Sequence, residues 1–590
     1  MREYPMKAMK SRRPKKQKLF DPDEVLTGLI RSLKCDLEPL LHADRGVHPS
    51  IRYAVDRQLS AFDRKYLPVA FDSGKLEEET FSKFEEINSH MLATNIGILN
   101  KVPDPYSRIQ STTPFMDKIH LRARALTHFV LGDILEDEWF LDCKHSSGAS
   151  IGVPFTDTSV EQKFYPRMTT TIGAELYWRR YLEYDFQLYD AVKGIYGADP
   201  SVDIEPVTGS RATTVDKTVE KRRMICVEPT VNMFLQQGLM QVMYNRLSMV
   251  GLDVERLQDI HKVKAREGSV TTRLGTIDFS QASDCVSIEL LRWLLPPKWF
   301  DILWALRSHH TFLNGRWVEL QMMSTMGNAT TFPLETLVFW SYAHAVILSL
   351  RHGNSLFPEW DELRAVSVFG DDCIVPSNMA SKYCEVMTEV GFIVNSEKSF
   401  FGSERFRESC GGDYFAGYNV RPFSIRAPSS RKMSSLSPWL YIVANRLIPR
   451  YITYFGGLRY LYDKELWKFL FNLFERHDLS IRFVPPDFPD DAGLKWSFDY
   501  ERLAKSYRFR SEPIYEDVHG TRTFTYHRFN YRRKGKANPV LRYPLWLKSS
   551  EKRRRRWELF IEQTGLVPDV AWYDLLGSER KTPKTFPKRE

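Results

Sequence analysis

The sequence predicts an α+β fold, in which strands alternate with helices between about residues 211 and 425. The run Val366–Val375 is typical of a β-hairpin, and Leu274–Asp284 is typical of a strand that leads into a turn and a helix. The apolar run Leu337–Leu350 is about 14 residues long, short of the roughly 20 needed to span a bilayer, so we expect a buried helix and no membrane partner. A chain of 590 residues should form three or four subdomains.

Composition favours a polyanionic partner in a reducing compartment. The chain is 43% hydrophobic, carries a net charge of +9 and has a pI near 8.9, which suits nucleic acid. Its seven cysteines are dispersed, odd in number and lack a CxxC pair, so neither a zinc site nor a disulfide framework is predicted. No apolar segment follows the basic N-terminus, which argues against a secretory signal.

Four segments are predicted along the chain. Residues 1–20 form a basic, disordered arm, and residues 21–210 form an N-terminal region with helical stretches such as Ala174–Tyr189. Residues 211–425 hold the catalytic core, with the motifs at about 258–400. Residues 426–590 are basic and aromatic, a composition that suits RNA contact. The candidate RNA-binding residues there are Arg532, Arg533, Lys534, Arg554 and Arg555, although Lys552–Arg556 could equally be a solvated helix face.

Two adjacent carboxylates lie at the tip of the predicted hairpin. Asp371 and Asp372 follow Gly370, which supplies the backbone freedom of a tight turn. Like charges about 4 Å apart repel by about 4 kcal/mol at an effective dielectric constant near 20. Little except a divalent metal ion would offset that cost, so we expect a metal site at this turn.

A third carboxylate, Asp278, ends the strand that precedes the hairpin by 93 positions. If the two segments are neighbours, Asp278 and Asp371 could bind two Mg²⁺ or Mn²⁺ ions about 3.5–4 Å apart. Asp372 should point the other way and be a weaker ligand. Taken alone, Asp278 is more simply explained as a turn residue.

Basic residues supply candidates for phosphate contact. Lys217, Arg222 and Arg223 lie before an apolar segment and could neutralise a triphosphate, although a solvated charge run is the alternative. Lys398 follows the hairpin and could protonate a departing pyrophosphate, although a plain surface lysine is the simpler explanation. The loop that holds Gly327 and Asn328 opens the apolar helix and could track a triphosphate or a nucleic-acid backbone.

In order and spacing these motifs resemble RNA-directed RNA polymerases, and more closely the replicase β-subunits of single-stranded RNA bacteriophages, the leviviruses. The resemblance is strong from about residue 215 to 425. It is carried by six runs: Arg266–Val270, Ile277–Asp284, Leu295–Pro297, Ser324–Asn328, Phe369–Asp372 and Phe406–Gly411.

The resemblance implies a right-hand fold of fingers, palm and thumb, with an antiparallel palm sheet flanked by helices. It implies that Asp278, Asp371 and Asp372 bind the metal ions, that Asp284 senses the ribose 2′-hydroxyl and that Lys398 is the acid. Lys217 and Arg223 match the basic segment over the triphosphate. Glu335 stands where general viral polymerases usually have Asn, and phage replicases look similar to this chain there. The resemblance thus makes Glu335 a candidate nucleotide contact and leaves open which residue reads the ribose with Asp284.

The implied reaction is template-directed RNA synthesis from ribonucleoside triphosphates by two-metal-ion nucleotidyl transfer, replicating a phage genome in the cytoplasm of a bacterial host. The implied partners are template and product RNA, host elongation factors Tu and Ts and an RNA-binding ribosomal protein. A reverse transcriptase is an alternative, but Gln281, Ala282 and Ser283 leave room for a 2′-hydroxyl. An RNA-binding protein without catalysis is the other alternative.

Overall fold

The computed structural model describes most of residues 19–495 and three short strands beyond them. The described ranges are 19–42, 47–66, 68, 74–101, 113–146, 148–153, 161–164, 168–197, 199–218, 220–350, 360–461, 463–495, 515–516, 522–524 and 584–586. The predicted basic arm lies almost wholly outside them.

The chain divides into two compact units. One contains Met1–Asp72, Pro422–Tyr531 and Arg580–Glu590, and the other contains Ser73–Arg421 and Arg532–Glu579. Both units combine helices with sheets, so the predicted α+β class is confirmed at that level. The predicted segment boundaries remain predictions.

Sixteen helices are present in the described part of the chain. They are α1 (Pro22–Leu41), α2 (Pro49–Lys65), α3 (Gly74–Lys101), α4 (Pro114–Leu131), α5 (Glu136–Phe140), α6 (Ile172–Tyr184), α7 (Phe186–Tyr196), α8 (Thr230–Met249), α9 (Val254–Thr271), α10 (Ile288–Leu294), α11 (Pro297–Leu306), α12 (Thr331–Leu350), α13 (Trp360–Ala365), α14 (Ser377–Glu389), α15 (Met433–Phe455) and α16 (Glu465–Arg476). Short 3-10 turns occupy Glu161–Phe164, Ala282–Asp284 and Leu458–Leu461.

The described strands are short, and all of them pair in small sheets of two to four strands. They are β1 (Met168–Thr170), β2 (Ile204–Pro206), β3 (Ser210–Asp216), β4 (Arg222–Val227), β5 (Leu274–Ile277), β6 (Phe279–Ser280), β7 (His310–Leu313), β8 (Arg316–Glu319), β9 (Ser367–Phe369), β10 (Asp372–Pro376), β11 (Ile393–Val394), β12 (Phe406–Ser409), β13 (Gly412–Phe415), β14 (Tyr418–Asn419), β15 (Phe483–Val484), β16 (Leu494–Lys495), β17 (Tyr515–Glu516), β18 (Arg522–Phe524) and β19 (Lys584–Phe586).

Two sheets of the larger unit are central to its candidate site. One has the order β5-β10-β9 and is antiparallel, with Cys373 opposite Ile277 and Asp372 opposite Phe369. The predicted hairpin therefore forms, and the strand that ends before Asp278 lies beside it, which meets the condition set for a joint metal site. The other sheet has the order β4-β3-β7-β8. Its β3-β7 pair is parallel, and its two outer pairs are antiparallel.

Helix α12 is the most deeply buried helix around these sheets. It packs on α4 and α14, and nearly all of its side chains are buried. At 20 residues it is longer than the predicted apolar run and, by length and composition, could cross a membrane. However, 94% of its most apolar window is buried inside the fold, as in a core helix. The predicted buried helix is thus confirmed, with an earlier start at Thr331.

The predicted helical stretch Ala174–Tyr189 is two helices rather than one. Helix α6 ends at Tyr184, and α7 begins at Phe186. The side chain of Asp185 between them accepts a hydrogen bond from the Leu188 N–H at 3.0 Å, which caps α7. The apolar periodicity continues across this break, so the pattern alone did not reveal the cap.

The other unit has a hydrophobic core of its own. Helices α1 and α16 pack together, and the carboxylate of Asp36 accepts backbone hydrogen bonds from Glu465 and Leu466 at the start of α16. Burial raises the pKa of Asp36 despite these bonds. The unit's core also includes Trp439 and Tyr441 of α15.

We predict that Gly238→Ala destabilises the protein by about 1–3 kcal/mol. A Cβ at Gly238 in α8 would lie 2.4 Å from the Trp139 carbonyl oxygen and 2.5 Å from Cys143 Sγ. The shift of the thermal unfolding midpoint measures the effect. The matched control is Gly97→Ala in α3, whose Cβ would meet no atom within 4 Å. That variant should be slightly stabilised, because alanine favours helix. Equal midpoints for the two variants would contradict the packing of α8.

Candidate active site

The hairpin turn fixes the position of Asp371. The turn consists of Gly370 and Asp371, and Gly370 has φ +61°. A Cβ at Gly370 would lie 2.6 Å from the Phe332 ring, and its N–H donates to Thr336 Oγ1 at 2.9 Å. The rings of Phe332 and Phe369 are 4.6 Å apart. The start of α12 therefore holds the turn from behind, where only glycine fits.

Asp278 follows β5 and is oriented by the segment after β11. The Asn395 side-chain amide donates to Asp278 Oδ2 at 2.7 Å, and Lys398 Nζ lies 3.7 Å from the same oxygen. The Asp278 N–H donates to Ser399 Oγ at 3.2 Å. Asn395 and Ser399 were not predicted to matter. Their contacts depend on the pairing of β6 with β11, which no local pattern revealed.

The hairpin carboxylates are partly buried near Asp278. Burial raises the pKa of Asp371, and the negative charge of Asp278 raises it further. Burial and then the charge of Asp371 raise the pKa of Asp372 to about 7. The Asp372 carboxylate accepts a hydrogen bond from the Cys410 N–H at 3.1 Å. Asp371 therefore shares its surroundings with Asp278, while Asp372 also contacts the turn between β12 and β13.

Asp278 and Asp371 fit a hard divalent cation. Both offer carboxylate oxygens, the ligands that Mg²⁺ prefers, and their mutual repulsion would be relieved by a positive charge between them. Within the described ranges, no group of three or more His, Cys, Asp or Glu side chains forms a ready metal cage. Mg²⁺ does not require such a cage, because it commonly takes one or two carboxylates and completes its shell with water and substrate phosphates.

Two of the three predicted phosphate-binding cations lie near the carboxylates. Burial lowers the pKa of Lys217, the nearby charges of Arg223 and Lys398 lower it further, and those of Asp278 and Asp371 oppose the shift. Arg223 in turn contributes to the electrostatics of Asp371.

Arg222 is directed elsewhere. Neighbouring residues of a strand point to opposite faces, so Arg222 and Arg223 diverge on β4. The Arg222 guanidinium lies 2.9 Å from Asp216 Oδ1 and donates to Thr214 Oγ1 at 2.7 Å. The structure therefore does not bring Arg222 to the carboxylates.

Asp284 and Glu335 are buried together behind the hairpin. Burial raises the pKa of Asp284 to about 7, and Asp284 Oδ1 lies 3.4 Å from the Met326 N–H that donates to it. Burial raises the pKa of Glu335 well above its usual range, and the charges of Asp371 and Asp284 add to this rise. Glu335 Oε1 has no hydrogen-bond partner among the described residues. The pair is thus an electrostatic neighbour of Asp371.

The loop that holds Gly327 and Asn328 is fixed against β4. The Cys226 N–H donates to the Met326 carbonyl at 2.8 Å. Gly327 has φ +134°, and a Cβ there would lie 2.0 Å from the Cys226 carbonyl oxygen. The Asn328 side chain accepts hydrogen bonds from the Thr325 N–H and hydroxyl. Gly327 and Asn328 therefore shape the loop, and their predicted nucleotide contact stays a prediction.

A buried carboxylate that was not predicted supports the same loop. Glu228 Oε2 accepts hydrogen bonds from Ser308 Oγ at 3.0 Å and Gln236 Nε2 at 3.2 Å. Gln236 Oε1 in turn accepts from the Ala329 N–H at 3.1 Å. Burial raises the pKa of Glu228 to about 7, while its hydrogen bonds and Arg307 oppose the rise. The only sequence signal was an acid directly after an apolar strand.

The predicted RNA-binding residues of the C-terminal region lie outside the described part of the chain. They are Arg532, Arg533, Lys534, Arg554 and Arg555.

The sequence is similar to the β chains of phage RNA replicases. The sequence model of a family described as "RNA replicase, beta-chain" matches residues 55–460. The RNA-directed RNA polymerase beta chain of Enterobacteria phage fr is 32% identical over 350 residues, which are 56% of this chain and 61% of that protein. The RNA-directed RNA polymerase subunit beta of Escherichia virus Qbeta is 36% identical over 316 residues, which are 52% of this chain and 49% of that protein.

The matched region spans about half to three fifths of the length of these relatives. Among solved structures, the RNA-dependent RNA polymerase of a human picorbirnavirus is 15% identical, with a TM-score of 0.28. That match covers 44% of this chain and 55% of the other. A TM-score this low does not define a shared fold.

We predict that Asp278→Asn and Asp371→Asn each weaken Mn²⁺ binding at least about tenfold, because each removes one of two hard oxygen ligands. Asp372→Asn should have a smaller effect, since the Asp372 carboxylate also bonds to the Cys410 N–H. Titration of free Mn²⁺ by electron paramagnetic resonance measures the affinity. Equal losses in all three variants would show that Asp372 is a full ligand.

We also predict a pH-dependent stability contribution from Glu228. Its folded pKa of about 7 exceeds the ordinary value of 4.5, so the folded protein binds the extra proton and loses stability as pH rises from about 4.5 to 7. That interval corresponds to roughly 3 kcal/mol at most. Glu228→Gln should therefore gain stability relative to the parent protein at pH 8 but not at pH 4.5, measured by thermal unfolding. An identical difference at both pH values would contradict the prediction.

Proposed function

Because this chain belongs to the RNA replicase β-chain family, we propose that it synthesises RNA from ribonucleoside triphosphates on an RNA template. The observation that carries the proposal is the convergence of Asp278 and Asp371, with Lys217 and Arg223 beside them. Two carboxylates with two cations beside them suit a reaction in which a metal-bound triphosphate is attacked. The activity, substrates and partners of the whole protein are part of this proposal.

The proposed fold follows the same assignment. The β5-β10-β9 sheet and helices α12 and α14 correspond to the palm of a right-hand polymerase, because this sheet presents the carboxylates. The β4-β3-β7-β8 sheet corresponds to part of the fingers, since it contributes Arg223. The unit that contains α15 and α16 corresponds to the thumb.

In the proposed site Asp278 and Asp371 hold Mg²⁺ or Mn²⁺, and Asp372 supports them. Two such ions, when bound, would activate the attacking 3′-hydroxyl and stabilise the leaving pyrophosphate. Lys217 and Arg223 neutralise the triphosphate, which reduces the charge that the nucleophile must approach. Lys398, whose side chain is 48% exposed beside Asp278, donates a proton to the pyrophosphate.

Selection of ribonucleotides is assigned to Asp284 and the loop before α12. Asp284 is buried, and its carboxylate accepts one described hydrogen bond, from the Met326 N–H, so the carboxyl group retains capacity to bind a 2′-hydroxyl. Gln281, Ala282 and Ser283 place no large aromatic or branched aliphatic side chain next to it, unlike the steric block expected of a reverse transcriptase. Glu335 lies close enough to influence the charge of Asp284.

The proposed partners follow from the family. The relatives are named as a β chain or subunit, which implies other chains in their complexes. We propose that this chain likewise acts in the cytoplasm of a bacterial host, with elongation factors Tu and Ts and an RNA-binding ribosomal protein. Its predicted C-terminal basic residues are candidates for RNA contact.

We expect the purified chain to incorporate labelled ribonucleotides on an RNA template with Mg²⁺ or Mn²⁺, assayed with and without factors Tu and Ts. Asp371→Ala and Asp278→Ala should reduce incorporation by at least about 1,000-fold, because electrostatic stabilisation of this kind is a dominant part of catalysis. The control is Asp259→Ala, an exposed acid of α9 that pairs with Lys262 and should leave incorporation unchanged.

Equal incorporation by the parent chain and Asp371→Ala would refute the catalytic assignment. Template binding without incorporation under any condition would favour the alternative of a non-catalytic RNA-binding protein.

A further inference from the structure

Helix α3 covers one face of the β4-β3-β7-β8 sheet, and the other, which we call the open face, carries exposed side chains among the described residues. On the covered face, Thr214 Oγ1 donates to Glu77 Oε1 of α3 at 3.3 Å, and Arg316 reaches Glu85 of the same helix at 2.6 Å. Cys226 on this face is fully buried. The side chains that alternate with these residues face away from α3.

A row of side chains crosses the open face. In the strand register, Arg211 pairs with Val227 on one side and with Phe312 on the other, and Phe312 pairs with Trp317. Phe312 is 38% exposed and Trp317 is 44% exposed, with ring centroids 5.3 Å apart at an interplanar angle of 64°. Two touching, exposed aromatic rings form an apolar patch, and apolar patches rimmed by polar residues are a feature of interaction sites.

The charges of the open face favour a polyanion. Arg211 is exposed, and no carboxylate of the described residues pairs with it. On the same face, His310 stands opposite Glu319, which is the one acid among the described residues of this face. Arginine beside aromatic rings is the combination that binds single-stranded nucleic acid, because the cation contacts phosphate while the rings stack on bases.

The open face is continuous with the candidate active site. On β4, Arg223 shares this face with Ile225 and Val227, and it stands opposite Val215 of β3. Arg223 influences the pKa of Asp371, so this end of the face lies at the carboxylates. Four residues of strand, about 13 Å, separate the Arg223 row from the row of Phe312 and Trp317. A strand bound along the face would therefore pass from the aromatic pair to the carboxylates.

We propose that this open face binds single-stranded template RNA, with bases stacked on Phe312 and Trp317 and a phosphate held by Arg211. The inference rests on the proposed function, since it names a contact of the template outside the site of nucleotide transfer. The stacking is indifferent to base identity, because every base has a π face. The face therefore holds the strand without reading its sequence.

The test compares two probes on the full chain by fluorescence anisotropy. One is a labelled 12-nucleotide oligoribonucleotide, and the other has the same backbone without bases. The double variant Phe312→Ala, Trp317→Ala should bind the intact probe about tenfold to a hundredfold more weakly and the abasic probe with unchanged affinity. Arg211→Gln should weaken both probes to the same degree, because it removes a phosphate contact.

Two further variants guard against a general loss of structure. Trp317→Phe keeps an aromatic face and should restore most of the affinity for the intact probe. Phe186→Ala, which removes a 62% exposed ring that stacks on Tyr189 in α7, should bind both probes normally. Thermal unfolding of each variant should match that of the parent chain.

The outcomes separate this inference from the proposed function. If the double variant binds the intact probe within twofold of the parent chain, the proposed RNA binding by the open face is refuted, whether or not the chain incorporates nucleotides. A double variant that loses only the binding of a protein partner would also refute it. If it loses the intact probe while the parent chain incorporates no nucleotide, binding of single-stranded RNA by the open face stands, and the polymerase proposal fails.

Discussion

The repulsion between the carboxylates of Asp278 and Asp371 is the constraint around which the larger unit is organised. Separation of these charges would lower the electrostatic energy, yet pairing of β5 with β10 brings their segments side by side. Each carboxylate is then held by a different part of the chain: Asp278 by Asn395, and Asp371 by a turn that packs on α12. The fold thus keeps an unfavourable pair in place, and Lys217 and Arg223 moderate it without forming a close ion pair with it.

A second layer of acids extends this arrangement inward. Asp284, Glu335 and Glu228 are all at least 95% buried, and burial raises the pKa of each. Glu228 is tied through Gln236 to the backbone at Ala329, and Asp284 is tied to the backbone at Met326. Both anchor the same short loop before α12. The loop is therefore positioned by polar contacts on two sides, while Gly327 lets it approach β4 closely.

Local sequence patterns were sufficient where a functional feature lies within a short segment of the chain. The hairpin, the strand before Asp278 and the helix after the loop could all be predicted, because turn residues and apolar runs identify them within about ten positions. Long-range contacts could not: Asn395 reaches Asp278 through the pairing of β6 and β11, and Glu228 acts through Ser308 and Gln236. Arg222 and Arg223 are neighbouring residues of the same type, and only the register of β4 shows that their side chains point to opposite faces of the sheet. Asp185 caps a second helix within a segment predicted to be one helix, because the apolar periodicity continues across the break.

The turn at Gly370 limits how this sequence can vary. Its φ is positive, and a Cβ added there would lie 2.6 Å from the Phe332 ring, which leaves no room for any other amino acid. Gly370 itself nevertheless offers no side-chain group to a metal ion or a substrate. Any other residue at position 370 would displace either the hairpin turn or the N-terminal end of α12. A substitution in α12 at Phe332 could create space for a larger residue at position 370, so drift at these two sites should be correlated. The carboxylate turn of this chain thus depends on a residue that takes no part in the chemistry.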